Sequence, residues 1–120
     1  MIGLDAPPVA AYLREGNPIA VGTDSLSSSP SLDVLEDVAL LFDLARAQGY
    51  RDGDLARRLL EAATLGGAAA LGLQAGAIAD MVVVDVPVTD VVGTIEAVAR
   101  HGAGRQVETV VSGRVRWSAV

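Results

Sequence analysis

Between Asn17 and Asp33 the chain reads N-P-I-A-V-G-T-D-S-L-S-S-S-P-S-L-D. Pro18 to Val21 is short, uncharged and β-branched at two of its four positions, the pattern of a parallel strand covered on both sides. A parallel strand cannot be satisfied alone, because its backbone donors and acceptors need neighbours along both edges. The sequence from Leu26 to Gly76 offers no second strand. The neighbours of Pro18–Val21 are therefore the strands near the carboxyl terminus, another chain, or a part of the protein outside these 120 residues. The turn that follows places a carboxylate, Asp24, at a strand's carboxyl end among the hydroxyls of Thr23, Ser25, Ser27 and Ser28. In α/β proteins chemistry is usually mounted at that end of a strand.

Helices surround this stretch. Pro7 and Pro8 suit the first turn of a helix over Ala6–Glu15, with Val9, Tyr12 and Leu13 on one face and Gly16-Asn17 as the stop. Ser29 is the expected N-cap of the next helix, with Pro30 at its first position. Asp33, Glu36 and Asp37 complement the positive end of its dipole. Leu32, Leu35, Val38, Ala39, Phe42 and Ala45 recur at three- and four-residue spacing, an amphipathic helix reaching about Gln48 and ended by Gly49. Asp52 or Asp54 caps a third helix with Leu55, Leu59 and Ala62 inward and Arg57–Glu61 as an exposed pair. Thr64-Leu65-Gly66-Gly67 interrupts it, and an Ala-rich helix resumes to Leu71.

Past Gly76 the pattern changes. Met81–Asp85 is a continuous apolar strand, and Val92–Arg100 suits a helix. Val107–Val111 and Arg114–Trp117 are strands joined by the two-residue turn Ser112-Gly113. This last third is expected to form a small sheet beside the first part.

Composition narrows the partners. Half of the residues (51%) are hydrophobic but only 3% are aromatic, so Ala, Val and Leu must build the core. There is no cysteine, hence no disulfide and no thiolate metal site. The net charge of −6, with all nine basic residues Arg, argues against nucleic acid and against an anionic membrane surface. No apolar run is long enough to span a bilayer and no signal peptide opens the chain, so a cytoplasmic location is expected.

Four stretches together carry a resemblance. G-T-D-S-L at Gly22–Leu26 with S-L-D at Ser31–Asp33, E-A-A-T-L-G-G-A-A-A-L-G-L at Glu61–Leu73, A-D-M-V-V-V-D at Ala79–Asp85, and V-E-T-V-V-S-G-R-V at Val107–Val115 occur in one order. That order resembles the carboxyl-terminal portion of the amidohydrolase superfamily, in the branch of chlorohydrolases and of guanine, cytosine and aminofutalosine deaminases. The resemblance implies an α/β fold. Residues 1–75 would be the end of a TIM-type (β/α)8 metal-dependent hydrolase barrel, its last strand and following helices. Residues 76–120 would be strands of the appended small β-sandwich domain.

It further implies one or two divalent metals, zinc or iron, in the intact enzyme, and a small-molecule substrate, an amino-substituted heterocycle. Asp24 corresponds to the carboxylate after the last barrel strand, which in relatives approaches the metal and takes the proton from the attacking water. The family's other ligands, a His-X-His pair and two single histidines, would lie upstream of Met1. This chain has one histidine, His101, far downstream. The family's "PGK" approach to the A-D strand is absent, since Gly76-Ala77-Ile78 runs directly into Ala79-Asp80. This chain alone is therefore expected to bind metal no better than a surface carboxylate does, and to lack hydrolase activity.

Two other readings compete. One is a non-catalytic remnant that buries its strand edges by homo-oligomerisation. The other is an unrelated small α/β protein with a ligand pocket at Asp24. Taken singly, Asp24 is a turn-capping residue, Ser25, Ser27 and Ser28 are turn hydroxyls, and His101 is a cation favoured at a helix end. Gly66-Gly67 has no Lys-Ser/Thr after it, and Gly102-Ala103-Gly104 precedes a strand, so neither is a phosphate or dinucleotide loop. Trp117 is expected as a core residue or interface anchor of the hairpin.

Overall fold

The computed structural model describes residues 6–23, 32–72 and 80–119. In order they form α1 (Val9–Arg14), α2 (Val34–Ala47), α3 (Leu55–Glu61), a π-helical turn (Ala62–Gly66), α4 (Gly67–Ala70), β1 (Met81–Val84), α5 (Val91–His101), β2 (Gln106–Val111) and β3 (Arg114–Ser118). Helices α1, α3 and α5 pack on α2. The core is aliphatic, as the composition requires. Val38, Ala45, Leu55, Leu59 and Ala99 are fully buried, and Phe42 and Tyr50 are the large rings packed with them.

The helix expected over Ala6–Glu15 is shorter, because Pro8 takes the N-cap and the first turn begins at Val9. Its inward face is Val9, Ala10 and Leu13; Tyr12 points to solvent. Gln48 secures its start from the far end of α2: Nε2 donates to Pro7 O (2.8 Å) and Oε1 accepts from Ala10 N (3.0 Å). Gly16, at φ +71°, turns the chain out of the helix, as its position predicts.

Ser29 and Pro30 lie outside the described residues, and α2 starts later than they suggest. Its N-cap is Asp33, whose Oδ1 accepts from Leu35 N at 3.0 Å. The same carboxylate accepts from Gly104 N (2.9 Å) and Gln106 Nε2 (2.9 Å). Asp33 therefore joins the start of α2 to the loop that feeds β2, in addition to facing the helix dipole. Glu36 and Asp33 crowd Asp37; burial first, then those two charges, raise its carboxyl above the usual value.

Asp54 occupies the N-cap of α3 but makes no capping bond with its side chain. Its Oδ1 instead accepts from the hydroxyl of buried Tyr50 at 2.8 Å. One nitrogen of Arg58 donates to that hydroxyl (2.9 Å) and to Leu13 O (2.9 Å). This chain of bonds ties α1, the α2–α3 loop and α3 together, and no buried side-chain nitrogen or oxygen of the described residues is left without a partner. Arg57 and Glu61 form the expected exposed pair at 3.0 Å. The interruption expected at Thr64–Gly67 is absent as a break: the helix widens for one π turn and continues to Ala70.

The three strands form an antiparallel sheet in the order β1-β2-β3. The hairpin turn is as expected, with Ser112 (φ 52°) and Gly113 (φ 76°) both left-handed, the geometry that matches strand twist. Asp80 Oδ1 accepts from Ser112 N at 2.8 Å and pins the hairpin tip to the start of β1. Helix α5 is capped by Asp90, whose side chain accepts from Gly93 N at 2.6 Å. Trp117 is not a core residue; it is half exposed on β3.

Pro18–Val21 does not become a strand. No described strand pairs with it, and the carboxyl-terminal strands pair only with one another. The first of the three expected sources of neighbours is thereby excluded among the described residues. No described helix is long and apolar enough to cross a membrane.

Tyr50 yields a prediction. Burial foremost, then the bond to Asp54, raise its phenol above the ordinary value of 10.0. The neutral form is thus favoured in the folded state. Its stabilisation is full below the unfolded value and is lost as pH rises through the folded one. Tyr50→Phe is expected to cost about 1–2 kcal/mol at neutral pH, because Asp54 and Arg58 lose a buried partner. Urea melts at neutral and strongly alkaline pH check it: the wild type loses stability between the two, and the variant loses less.

Candidate functional site

Asp24 lies outside the described residues, as do Ser25, Ser27 and Ser28. The chain leading into that position is described as far as Thr23, and how it is held can be stated. Residues 17–23 run extended along the helical layer. Ile19 and Val21 pack against the core, while Pro18, Ala20 and Gly22 face out. Two backbone bonds tie this stretch to helices among the described residues: Asn17 N donates to Tyr12 O of α1 (3.2 Å) and Val21 N donates to Ala62 O (3.0 Å).

Ala62 can accept it because of the π turn. In an α-helix its carbonyl would take the amide four residues on. Here it takes Gly67 N, five on, and the wider turn leaves room for Val21. Gly66 makes the approach possible. A Cβ at that position would run into Ile19 O, with Ile19 C at 3.2 Å and Ala20 Cα at 3.5 Å. All three are backbone atoms, which no rotamer change can move. The Gly66-Gly67 pair in the sequence was the visible sign, but it looked like a helix break and gave no hint of what it touches.

The other anchor is Asp33. Val21 is held to the π-helical turn, and Asp33 to residues 104 and 106. His101 ends α5, exposed and followed by Gly102, the helix-end position expected of it.

A cleft of about 870 Å3 opens between helices and sheet, lined by Leu60, Thr64, Val82, Val84 and Ile95 among others, with Asp33 and Arg57–Glu61 on its wall. The small sheet lies beside the first part, as expected, and approaches the helices closely at one corner. There a Cβ on Gly102 would sit 3.3 Å from both Leu35 Cδ1 and Val84 Cγ1.

A transition-metal centre needs several nitrogen or oxygen ligands converging on one point. Among the described residues no three His, Cys, Asp or Glu side chains are placed to share an ion. With one histidine and no cysteine in the chain, the donor set does not fit zinc or iron.

The model of the Amidohydrolase family matches residues 2–116. The chain belongs to that family. It is 42% identical over 84 residues to a 5-methylthioadenosine/S-adenosylhomocysteine deaminase of Halobacterium salinarum, covering 65% of this chain and 20% of that protein. Over 86 residues it is 38% identical to a 5'-deoxyadenosine deaminase of Methanosarcina acetivorans, 65% of this chain and 19% of the other. The family member described here thus spans about a fifth of the length of these curated relatives. In three dimensions it is similar to E. coli guanine deaminase, with a TM-score of 0.72 and 23% identity over 92% of this chain and 32% of that one. That likeness is one of fold.

The two adjacent glycines give a paired prediction. Gly66→Ala is expected to cost about 1–3 kcal/mol, since the added methyl overpacks against backbone. Gly67→Ala, whose nearest new neighbour is Ala62 O at 3.9 Å, is expected to gain up to about 1 kcal/mol from helix propensity. Denaturant melts of both variants check the contrast; equal effects would contradict it.

Proposed function

We propose that this chain is the carboxyl-terminal portion of a hydrolytic deaminase of small amino-substituted heterocycles. Residues 1–75 contribute the last barrel strand and the helices after it, and residues 76–120 contribute part of the small β-domain. The observation that carries this reading is the family match over residues 2–116, which takes in all four motifs in order. The names of the relatives favour a 6-aminopurine nucleoside as the heterocycle. The reaction replaces the ring amino group by oxygen: water adds to the carbon, the C–N bond breaks, and ammonia leaves with the proton it needs. Asp24 is the group that accepts a proton from the attacking water, a role suited to a carboxylate at a strand's exit.

The imidazole ligands of a metal centre are not supplied by this donor set, so the 120 residues by themselves are inactive. The unpaired course of residues 18–23 supports the same view, since a barrel strand without its barrel has no ladder to join. Nothing in the reading calls for nucleic acid or a membrane, and a cytoplasmic setting suits it.

The test is an ammonia-release assay with 5'-deoxyadenosine and methylthioadenosine. The 120-residue chain is expected to give no release above blank and only weak zinc binding by calorimetry. A protein extended by in-frame upstream sequence encoding His-X-His and two further histidines is expected to be active. Asp24→Asn should then lower kcat by about 100-fold or more. Tight stoichiometric zinc binding or turnover by the short chain would overturn the proposal, as would an extended protein inactive on both nucleosides. The second reading, a self-associating remnant, is favoured by one observation: no described strand pairs with the outer edge of β1 or of β3.

A further inference from the structure

The inward face of the helix that runs from α3 into α4 tapers. Leu55, Leu59, Ala62 and Gly66 recur at helical spacing, and the first three are buried. Side-chain volume along that face falls from leucine to alanine to hydrogen. Residues 19–21 cross the helix where the volume runs out. Val21 N donates to Ala62 O at 3.0 Å. The backbone of Ile19 and Ala20 lies on Gly66, with Ile19 C 3.2 Å and Ala20 Cα 3.5 Å from where a Cβ would stand. These footholds are one helical turn apart, and both set backbone against backbone. Together they control how deep the crossing stretch lies and how far along the helix it sits. The flanking positions are not equivalent. Leu65 is half exposed, and a Cβ at Gly67 would meet nothing nearer than Ala62 O at 3.9 Å. The bare position is needed at residue 66 and not at residue 67.

We propose that Gly66 is a positioning residue of the deaminase. By admitting the backbone of residues 19 and 20 against the helix, it sets the depth and register of the stretch that leads to Asp24, three residues beyond Val21. The proposal rests on the deaminase reading, in which Asp24 takes a proton from the attacking water. Such a transfer needs the two oxygens within hydrogen-bond reach. A methyl at residue 66 meets main-chain atoms, so the backbone has to shift. A misplacement of about 1 Å, even from a change far from the chemistry, can cost about 100-fold in rate. Gly66 touches no substrate atom in this account and acts only through Asp24.

A double-mutant cycle in the extended, active protein tests it. Gly66→Ala is expected to lower kcat about 10- to 100-fold with KM within about threefold of wild type. Gly67→Ala is expected to leave both constants near wild type. In an Asp24→Asn background, Gly66→Ala is expected to cost less than about threefold more, because the group it positions is already disabled. A residue that only supports the fold would give multiplying losses, and its defect would vanish once stability is restored. The pair G66A/G67A supplies that control: its melting temperature should rise towards wild type through helix propensity while kcat stays low. Multiplying losses in the Asp24→Asn background would overturn the proposal. So would recovery of kcat in the pair, or a kcat for Gly66→Ala within about twofold of wild type. Failure of both Gly66→Ala proteins to fold, read by circular dichroism, would also overturn it, since residue 66 would then be a folding requirement. An extended wild type inactive on both nucleosides fails the deaminase reading itself, whereas an active one indifferent to Gly66→Ala fails this proposal alone.

Discussion

A segment without a sheet has to place its backbone polar groups elsewhere, and the course of residues 18–23 depends on how this chain does so. One amide, Val21 N, is taken by a helix carbonyl. Packing comes from Ile19 and Val21 on the helical layer, and it is possible only because residue 66 has no side chain. The helix accommodates the bond by widening at Ala62–Gly66, so one local irregularity carries the load that a pair of neighbouring strands would carry in a barrel.

A second joint, at Asp33, governs how the sheet meets the helices. Its carboxylate spans the N-terminus of α2 and the approach to β2, while Gly102 lets α5, α2 and β1 converge. Away from that corner the sheet stands off from α3 and α5 across the cleft. Helices thus form a core that is closed by aliphatic packing, whereas the sheet is held by a few polar contacts and presents exposed valines.

What the sequence disclosed follows the range of the forces involved. Helix α2 was legible because Leu35, Val38, Phe42 and Ala45 repeat at helical spacing, and all four are buried. The hairpin was legible because Ser112-Gly113 suits a left-handed pair. The start of α2 was less so: Ser29 and Asp33 are both good caps, and only the contacts to Gly104 and Gln106, some seventy residues away, select Asp33. The tyrosine–arginine tie at Tyr50 and Arg58 is invisible in any local pattern. Pro18–Val21 has a strand's composition, but strandhood is conferred by partners, and composition cannot supply them. The family was readable from four motifs, while the role of Asp24 still rests on motif position, because the residue itself lies outside the described structure.

Amide hydrogen exchange at Ile19, Ala20, Val21 and Gly22 measures the central claim directly. A single helix-bound amide predicts that Val21 exchanges slowly, at a rate set by opening of the helical core, while Ala20 and Gly22 exchange close to the free-peptide rate. Uniform or alternating protection along all four, as a strand within a sheet would give, would contradict the account.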